Sequence, residues 1–285
     1  MNLLSAAAKV SSLTMLSRIT GLLRETLIAR SFGASEWTDA FNVAFRLPNL
    51  LRRLFAEGAF SQAFVPILGE ISTNEDQNKA KILINAVATL LFWALLLTVL
   101  AGVIGAPLLI LVIATGFSGG PAYDASVVMT RIMFPYIGLI SMVSLSAGIL
   151  NTYQRFAIPA FTPVLLNLAL IGSAIFLAPH LDQPIYALSL GVLIGGVLQL
   201  AIQVPSLLRL GLLPRIGLLP KAIKAALSNP DARRVMKLMG PAVFAVSVAQ
   251  ISLIINTNIA SRLQAGSVSW LSYADRLMEF PTALL

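Results

Sequence analysis

The sequence predicts an all-α, polytopic membrane helix bundle: a six-helix N-terminal lobe followed by the first helices of a second, parallel-repeat lobe. Three observations carry this prediction. Of the 285 residues, 57% are hydrophobic and 11% are charged, whereas soluble domains carry about 25% charged residues. Apolar runs such as Leu90-Leu91-Phe92-Trp93-Ala94-Leu95-Leu96-Leu97 extend to the roughly 20 residues a helix needs to cross a bilayer. These runs are too long and too continuously apolar for the alternating strands of a membrane barrel. The net charge of +8 would suggest nucleic acid in a soluble protein. Here it reflects membrane topology and site chemistry, and no nucleic-acid partner is expected.

Eight helices are expected, in order 3–31, 35–68, 82–114, 127–153, 160–178, 185–208, 235–263 and 268 to the end. The first holds Ser11, Ser12, Arg18 and Arg24 and lacks the basic-then-apolar order of a signal peptide, so it is expected to be retained. The third, fifth and sixth are cleanly apolar. The first, second and eighth are polar-striped and score poorly on hydropathy alone. Residues 1–208 form the expected N-terminal lobe, 209–234 a basic cytoplasmic linker, and 235–285 the start of the second lobe. Within the linker, Leu218 to Leu227 fits an interfacial helix and a plain basic connection equally well. Ser228-Asn229-Pro230-Asp231 has the pattern of a helix start. Ala44-Phe45-Arg46-Leu47 echoes Ala274-Asp275-Arg276-Leu277, each early in a helix after a short outer loop. Such a parallel repeat is a transporter signature. The ending Pro281-Thr282-Ala283-Leu284-Leu285, inside an apolar segment, suggests truncation in the second half.

Loop charge sets orientation. With the N-terminus inside, eleven basic residues lie on the inner side, seven of them between Arg209 and Lys237, against Arg30, Arg131 and Arg262 outside. The N-terminus is therefore expected in the cytoplasm.

The other six basic residues, Arg18, Arg24, Arg46, Arg52, Arg53 and Arg276, fall inside or beside membrane segments. Ionisable groups at that depth usually face an internal cavity and mark function. In the second helix Asp39, Asn42, Arg46, Asn49 and Arg53 are spaced by 3, 4, 3 and 4, which places them on one face. Glu57 continues the stripe, Arg52 flanks it, and Pro48 interrupts it. In the first helix Ser17, Thr20 and Arg24 share a face beside a row of Thr14, Arg18, Gly21 and Glu25. Glu25 is placed to neutralise one arginine. Asp275, Arg276 and Glu279 cluster within about one turn of the eighth helix, where Arg276 and Glu279 are spaced to pair. Planar guanidiniums give paired hydrogen bonds to phosphate oxygens and stay charged, so this set suits a pyrophosphate. A satisfied interhelical polar network is the competing reading of the same residues. Cysteine is absent, and no GxxxxGK[ST], HExxH or GxSxG pattern occurs. The expectation is a transporter, without catalytic residues, metal or cofactor.

Several blocks carry a resemblance. Leu47-Pro48-Asn49-Leu50-Leu51-Arg52-Arg53-Leu54-Phe55-Ala56-Glu57-Gly58-Ala59-Phe60, continuing to Pro66, closely resembles the MurJ (MviN) family. So do Thr38-Asp39-Ala40-Phe41, Gln250-Ile251-Ser252-Leu253-Ile254-Ile255-Asn256-Thr257 and Tyr273-Ala274-Asp275-Arg276-Leu277-Met278-Glu279-Phe280-Pro281. The resemblance implies a proteobacterial lipid II flippase of the multidrug/oligosaccharidyl-lipid/polysaccharide exporter superfamily, in the bacterial inner membrane. It implies two lobes around a central cavity, and carriage of the undecaprenyl-pyrophosphate-linked peptidoglycan precursor from the cytoplasmic to the periplasmic leaflet. The family's cavity arginines match Arg18, Arg24, Arg52 and Arg276, and its portal carboxylate matches Asp39. Asn42, Arg46, Asn49, Arg53, Glu57 and Glu279 join Asp39 as expected gating or cavity polar residues. Expected partners are lipid II, membrane lipids and the cell-wall synthesis machinery, with the chain itself monomeric. Some members bind sodium through an aspartate in the seventh helix, but residues 235–263 hold no carboxylate, so sodium coupling is not expected. The alternative is an ion-coupled multidrug or other polysaccharide-lipid exporter of the same superfamily. A drug exporter needs an apolar cavity and a titrating carboxylate, against which six intramembrane arginines argue.

Overall fold

The computed structural model describes residues 3–52, 59–73 and 77–282. Among them the chain is helical, with no strand. In order the helices are α1 (Leu3–Phe32), α2 (Glu36–Arg52), α3 (Ala59–Thr73), α4 (Gln77–Ile113), α5 (Pro121–Met133), α6 (Pro135–Thr152), α7 (Ala157–Gly172), α8 (Tyr186–Ala201), α9 (Val204–Leu210), α10 (Pro220–Ser228), α11 (Pro230–Ser261) and α12 (Ser267–Thr282). Among the described residues four helical stretches are long and apolar enough to cross a membrane: α4, α5 with α6, α7 with its continuation to His180, and α8 with α9. This is a membrane protein built as a helical bundle.

The expected second helix, 35–68, is represented by α2 and α3, and its middle lies outside the described residues. Three helices start five or six residues earlier than expected: the third at Gln77, the fourth at Pro121 and the seventh at Pro230. The first and last of these gain turns bearing Lys79, Lys81, Arg233 and Arg234, which hydropathy alone discards because they lie beyond the apolar run. Proline punctuates the fourth. Pro121 and Pro135 open α5 and α6, where the missing N–H costs nothing, and Phe134 between them still donates to the Thr130 carbonyl. Asn229 caps α11 as its sequence pattern predicts, its side chain accepting from the Ala232 N–H at 2.9 Å.

Close approach of α7 and α8 rests on small residues. A Cβ on Gly191 would lie 2.8 Å from Ser173 Oγ, and one on Gly195 2.7 Å from Leu166 Cδ1. Between α9 and α10 the chain runs as a strap over α4. Asn85, Thr89 and Trp93, one residue per turn of α4, hold it: the Arg215 N–H donates to Asn85 Oδ1, the Gly217 N–H to Thr89 Oγ1, and Trp93 Nε1 to the Gly217 carbonyl. The segment from Leu218 to Leu227, open to a helix or a plain connection in the sequence, forms α10, with Ala226 buried and Lys221 exposed.

Candidate functional site

The polar face of α1 turns inward and its apolar face outward. Ile19, Leu22 and Leu23 are each at least half exposed, whereas Thr20 and Arg24 are buried. In a bilayer this places the leucines against lipid and the arginine against protein. Arg24 is 7% exposed. Its Nη1 donates to Asn167 Oδ1 of α7 at 2.9 Å, and its Nη2 donates to the neighbouring Glu25 carboxylate. Glu25 thus neutralises Arg24, one of the two arginines open to it in the sequence.

Arg24 lines a cavity of about 400 Å³ bounded by α1, α2, α11 and α12. The stripe of α2 supplies Asn42, Arg46 and Asn49 to its wall, α11 supplies Gln250, and α12 supplies Tyr273 and Asp275. Arg46 Nη1 stands 3.9 Å from Asp275 Oδ2. The pair is too far apart for a hydrogen bond, so Asp275 tempers the charge of Arg46 without occupying its donors. Among the described residues two guanidiniums and two carboxylates thus share one partly closed space, where an entering dianion can compete with Glu25 for an Arg24 N–H and outweigh the more distant Asp275 at Arg46.

Asp39, expected in a gating role, does not line this cavity. It is 2% exposed and its carboxylate caps α12. Oδ2 accepts the Gly266 N–H at 2.7 Å; Oδ1 accepts the Ser269 N–H at 2.7 Å and the Ser269 hydroxyl at 2.6 Å. Asn42 adds a bond from Nδ2 to Ser269 Oγ at 3.2 Å. The first amides of a helix lack internal partners and carry its positive dipole end, so a carboxylate is their best acceptor. Gly266 makes the approach possible. It adopts φ +95°, and a Cβ there would lie 3.0 Å from the Ala34 carbonyl oxygen.

A second contact closes the same end. Gly116, just after α4, donates its N–H to Ser261 Oγ at the end of α11, and Thr115 Oγ1 bonds Asn258 Oδ1 at 3.2 Å. At the opposite end Arg234 of α11 makes a two-point ion pair with Glu70 of α3, at 2.6 and 3.2 Å.

Of the other expected site residues, Arg18 is half-buried on α1 but does not line this cavity. Six residues separate it from Arg24, a rotation that turns it to a different face. Arg52, Arg276 and Glu279 lie on α2 and α12, and their side chains lie outside what the structure describes, as do Arg53 and Glu57 altogether. No sequence signal points to Asn167, because a lone amide in an apolar helix leaves no periodic pattern. Among the described residues no group of His, Cys, Asp and Glu could hold a metal ion.

Residues 28–285 match the family model described as lipid II flippase MurJ. The lipid II flippase MurJ of Burkholderia cenocepacia is 58% identical over 286 residues, covering 100% of this chain and 55% of the relative. The probable lipid II flippase MurJ of Vibrio cholerae is 42% identical over 290 residues, covering 99% of this chain and 54% of the relative. A solved structure described as lipid II flippase MurJ in an inward closed conformation superposes with a TM-score of 0.80 at 29% identity, over 96% of this chain and 55% of that one. The chain spans about half the length of the curated relatives it matches. With the membrane bundle, the buried arginine and these matches in agreement, the chain belongs to the MurJ lipid II flippase family.

Proposed function

We propose that this chain forms part of a lipid II flippase, which carries the undecaprenyl-pyrophosphate-linked peptidoglycan precursor from the cytoplasmic to the periplasmic leaflet of the bacterial inner membrane by alternating access. One observation carries the reading: a buried guanidinium, Arg24, on a polar cavity inside a membrane bundle of this family. Arg24, Arg18, Arg52 and Arg276 hold the pyrophosphate. Arg46, Asn42 and Asn49 line the approach, with Arg53, Glu57 and Glu279 as further polar groups of the pathway. Glu25 holds Arg24 and Asp275 tempers the charge of Arg46 until the dianion takes their place. Asp39, seated on the N-terminus of α12, is the outer gate. Residues 1–208 act as one lobe, 209–234 as a cytoplasmic link, and 235–285 as the opening of a second lobe. The excess of basic residues between Arg209 and Lys237 supports an N-terminus in the cytoplasm.

An inside-negative membrane potential favours outward movement of each negative charge by about 2.3 kcal/mol per 100 mV, which can drive the cycle without ATP. The test is native mass spectrometry of the whole flippase with lipid II and with a neutral diacyl lipid. Selective lipid II binding that is lost in Arg24→Ala, Arg52→Ala and Arg276→Ala is the expected result. Equal binding of both lipids, unchanged by the substitutions, would refute the assignment.

A further inference from the structure

Asn167 sits at 6% exposure within α7, whose neighbouring positions are almost all apolar. Its amide turns to α1 at both ends. Nδ2 donates to the Ser17 carbonyl at 3.0 Å and to Thr20 Oγ1 at 3.1 Å, while Oδ1 accepts from Arg24 Nη1 at 2.9 Å. The direction of this chain is fixed. Thr20 spends its own hydroxyl proton on the Leu16 carbonyl at 2.9 Å, which leaves its oxygen as the acceptor for Asn167. Two acceptors therefore hold the Nδ2 end, and Oδ1 must face the guanidinium. Turning the amide over would set its N–H₂ against Arg24 and an oxygen against two acceptors.

We propose that Asn167 is a positioning residue for the anion site: from outside the cavity wall it orients the Arg24 guanidinium without neutralising it. The proposal rests on the reading that Arg24 binds the pyrophosphate. The chemistry explains why an amide stands here. Arg24 has five N–H donors in a rigid plane, so fixing Nη1 from α7 sets where the remaining donors point. A carboxylate at the same place would bind Nη1 more strongly but would add a second negative charge beside Glu25, against an incoming anion. A neutral acceptor, its amide held at both ends, supplies direction and adds no charge. Glu25, the charged partner of Nη2, comes from the same helix as Arg24 and gives no such fixed reference to α7.

The experiment uses the whole flippase, with Asn167→Ala and the near-isosteric Asn167→Asp each made in the Arg24 and Arg24→Ala backgrounds. Affinity for undecaprenyl pyrophosphate is read by native mass spectrometry, with a neutral diacyl lipid as control and monodisperse elution as the check on folding. Asn167→Ala is expected to weaken binding about tenfold, the scale of one hydrogen bond to a charged group. Asn167→Asp should weaken it at least as much, although it keeps the side-chain shape. Neither should weaken binding further once Arg24 is replaced by alanine, because the positioned group is gone. A merely structural asparagine would give the same loss in both backgrounds, and that result overturns the proposal. So does wild-type affinity in both Asn167 variants while Arg24→Ala loses binding. If Arg24→Ala itself binds like the wild type, the pyrophosphate assignment fails first, and the positioning role with it.

Discussion

The carboxylate of Asp39 holds three donors at the start of α12, so its amide analogue is a sharp probe of the proposed outer gate. Asp39→Asn keeps the side-chain shape but leaves a single oxygen. That oxygen cannot serve both the Gly266 N–H and the Ser269 pair, which Asp39 accepts on opposite oxygens. Whichever way the amide turns, one backbone N–H of the α12 start faces an N–H₂ group. A hydrogen bond to a charged acceptor contributes about 1.5–3 kcal/mol, and the remaining bonds fall to neutral strength. A loss of about 2 kcal/mol from the outer-closed state follows, which raises the outer-open population about 30-fold while that state stays minor. Val268 is fully buried at this contact, and the 285 residues contain no cysteine. Val268→Cys in a flippase otherwise free of cysteine therefore reports opening by its rate of modification with an impermeant maleimide from outside. Adding Asp39→Asn should raise that rate by about 30-fold if reaction is slow relative to closing. A rate within about twofold of the Val268→Cys parent would refute the reasoning, since the cap would then contribute nothing to closure.

Three further outcomes are expected. Gly266→Ala forces an L side chain to φ +95° beside the Ala34 carbonyl and should destabilise the outer-closed form by at least about 1 kcal/mol, seen as faster Val268→Cys modification or a lower Tm in detergent. Asp275→Asn removes a carboxylate 3.9 Å from Arg46; it should leave Tm nearly unchanged and tighten binding of lipid pyrophosphates severalfold in the native mass spectrometry assay. Glu70 raises the pKa of the Arg234 guanidinium, first through its hydrogen bond and then through its charge. A raised base is charged below its ordinary value and beyond it, so the arginine keeps its charge at every working pH. Both side chains are more than half exposed, so Arg234→Gln should scarcely move Tm.

The helices are legible in the sequence because a bilayer imposes a length and a composition on each span. Their charged ends are not, because turns such as the one carrying Arg233 and Arg234 are helical but not apolar. The arginine face of α1 and the polar stripe of α2 are equally legible, since both repeat at the helical period. The partners of those residues are not. Asp39 accepts from donors 227 and 230 positions away, and no local pattern encodes such a meeting. Nor does any spacing within α12 tell that Asp275 comes within 3.9 Å of Arg46 on α2.

On the proposed reading, gate and site are joined by the two helices that carry both. Asp39 and Arg46 are seven residues apart on α2, and Ser269 and Arg276 are seven apart on α12. Seven residues make about two turns, or roughly 10 Å of rigid rod, and return to nearly the same face. A displacement of α12 that breaks its contact with Asp39 must therefore carry its arginine position with it, relative to Arg46 on the helix left behind. The Asp275–Arg46 separation changes in the same movement. An anion that draws Arg46 and the arginine of α12 towards itself stabilises one relative placement of α2 and α12, and so biases the cap two turns away. Coupling of this kind needs only a differential affinity of the ligand for the two placements. It also explains why the gate is a helix cap: a carboxylate bound by backbone amides is indifferent to the arginines, so the ligand reaches the gate through the helices and does not compete for the gate's own charge.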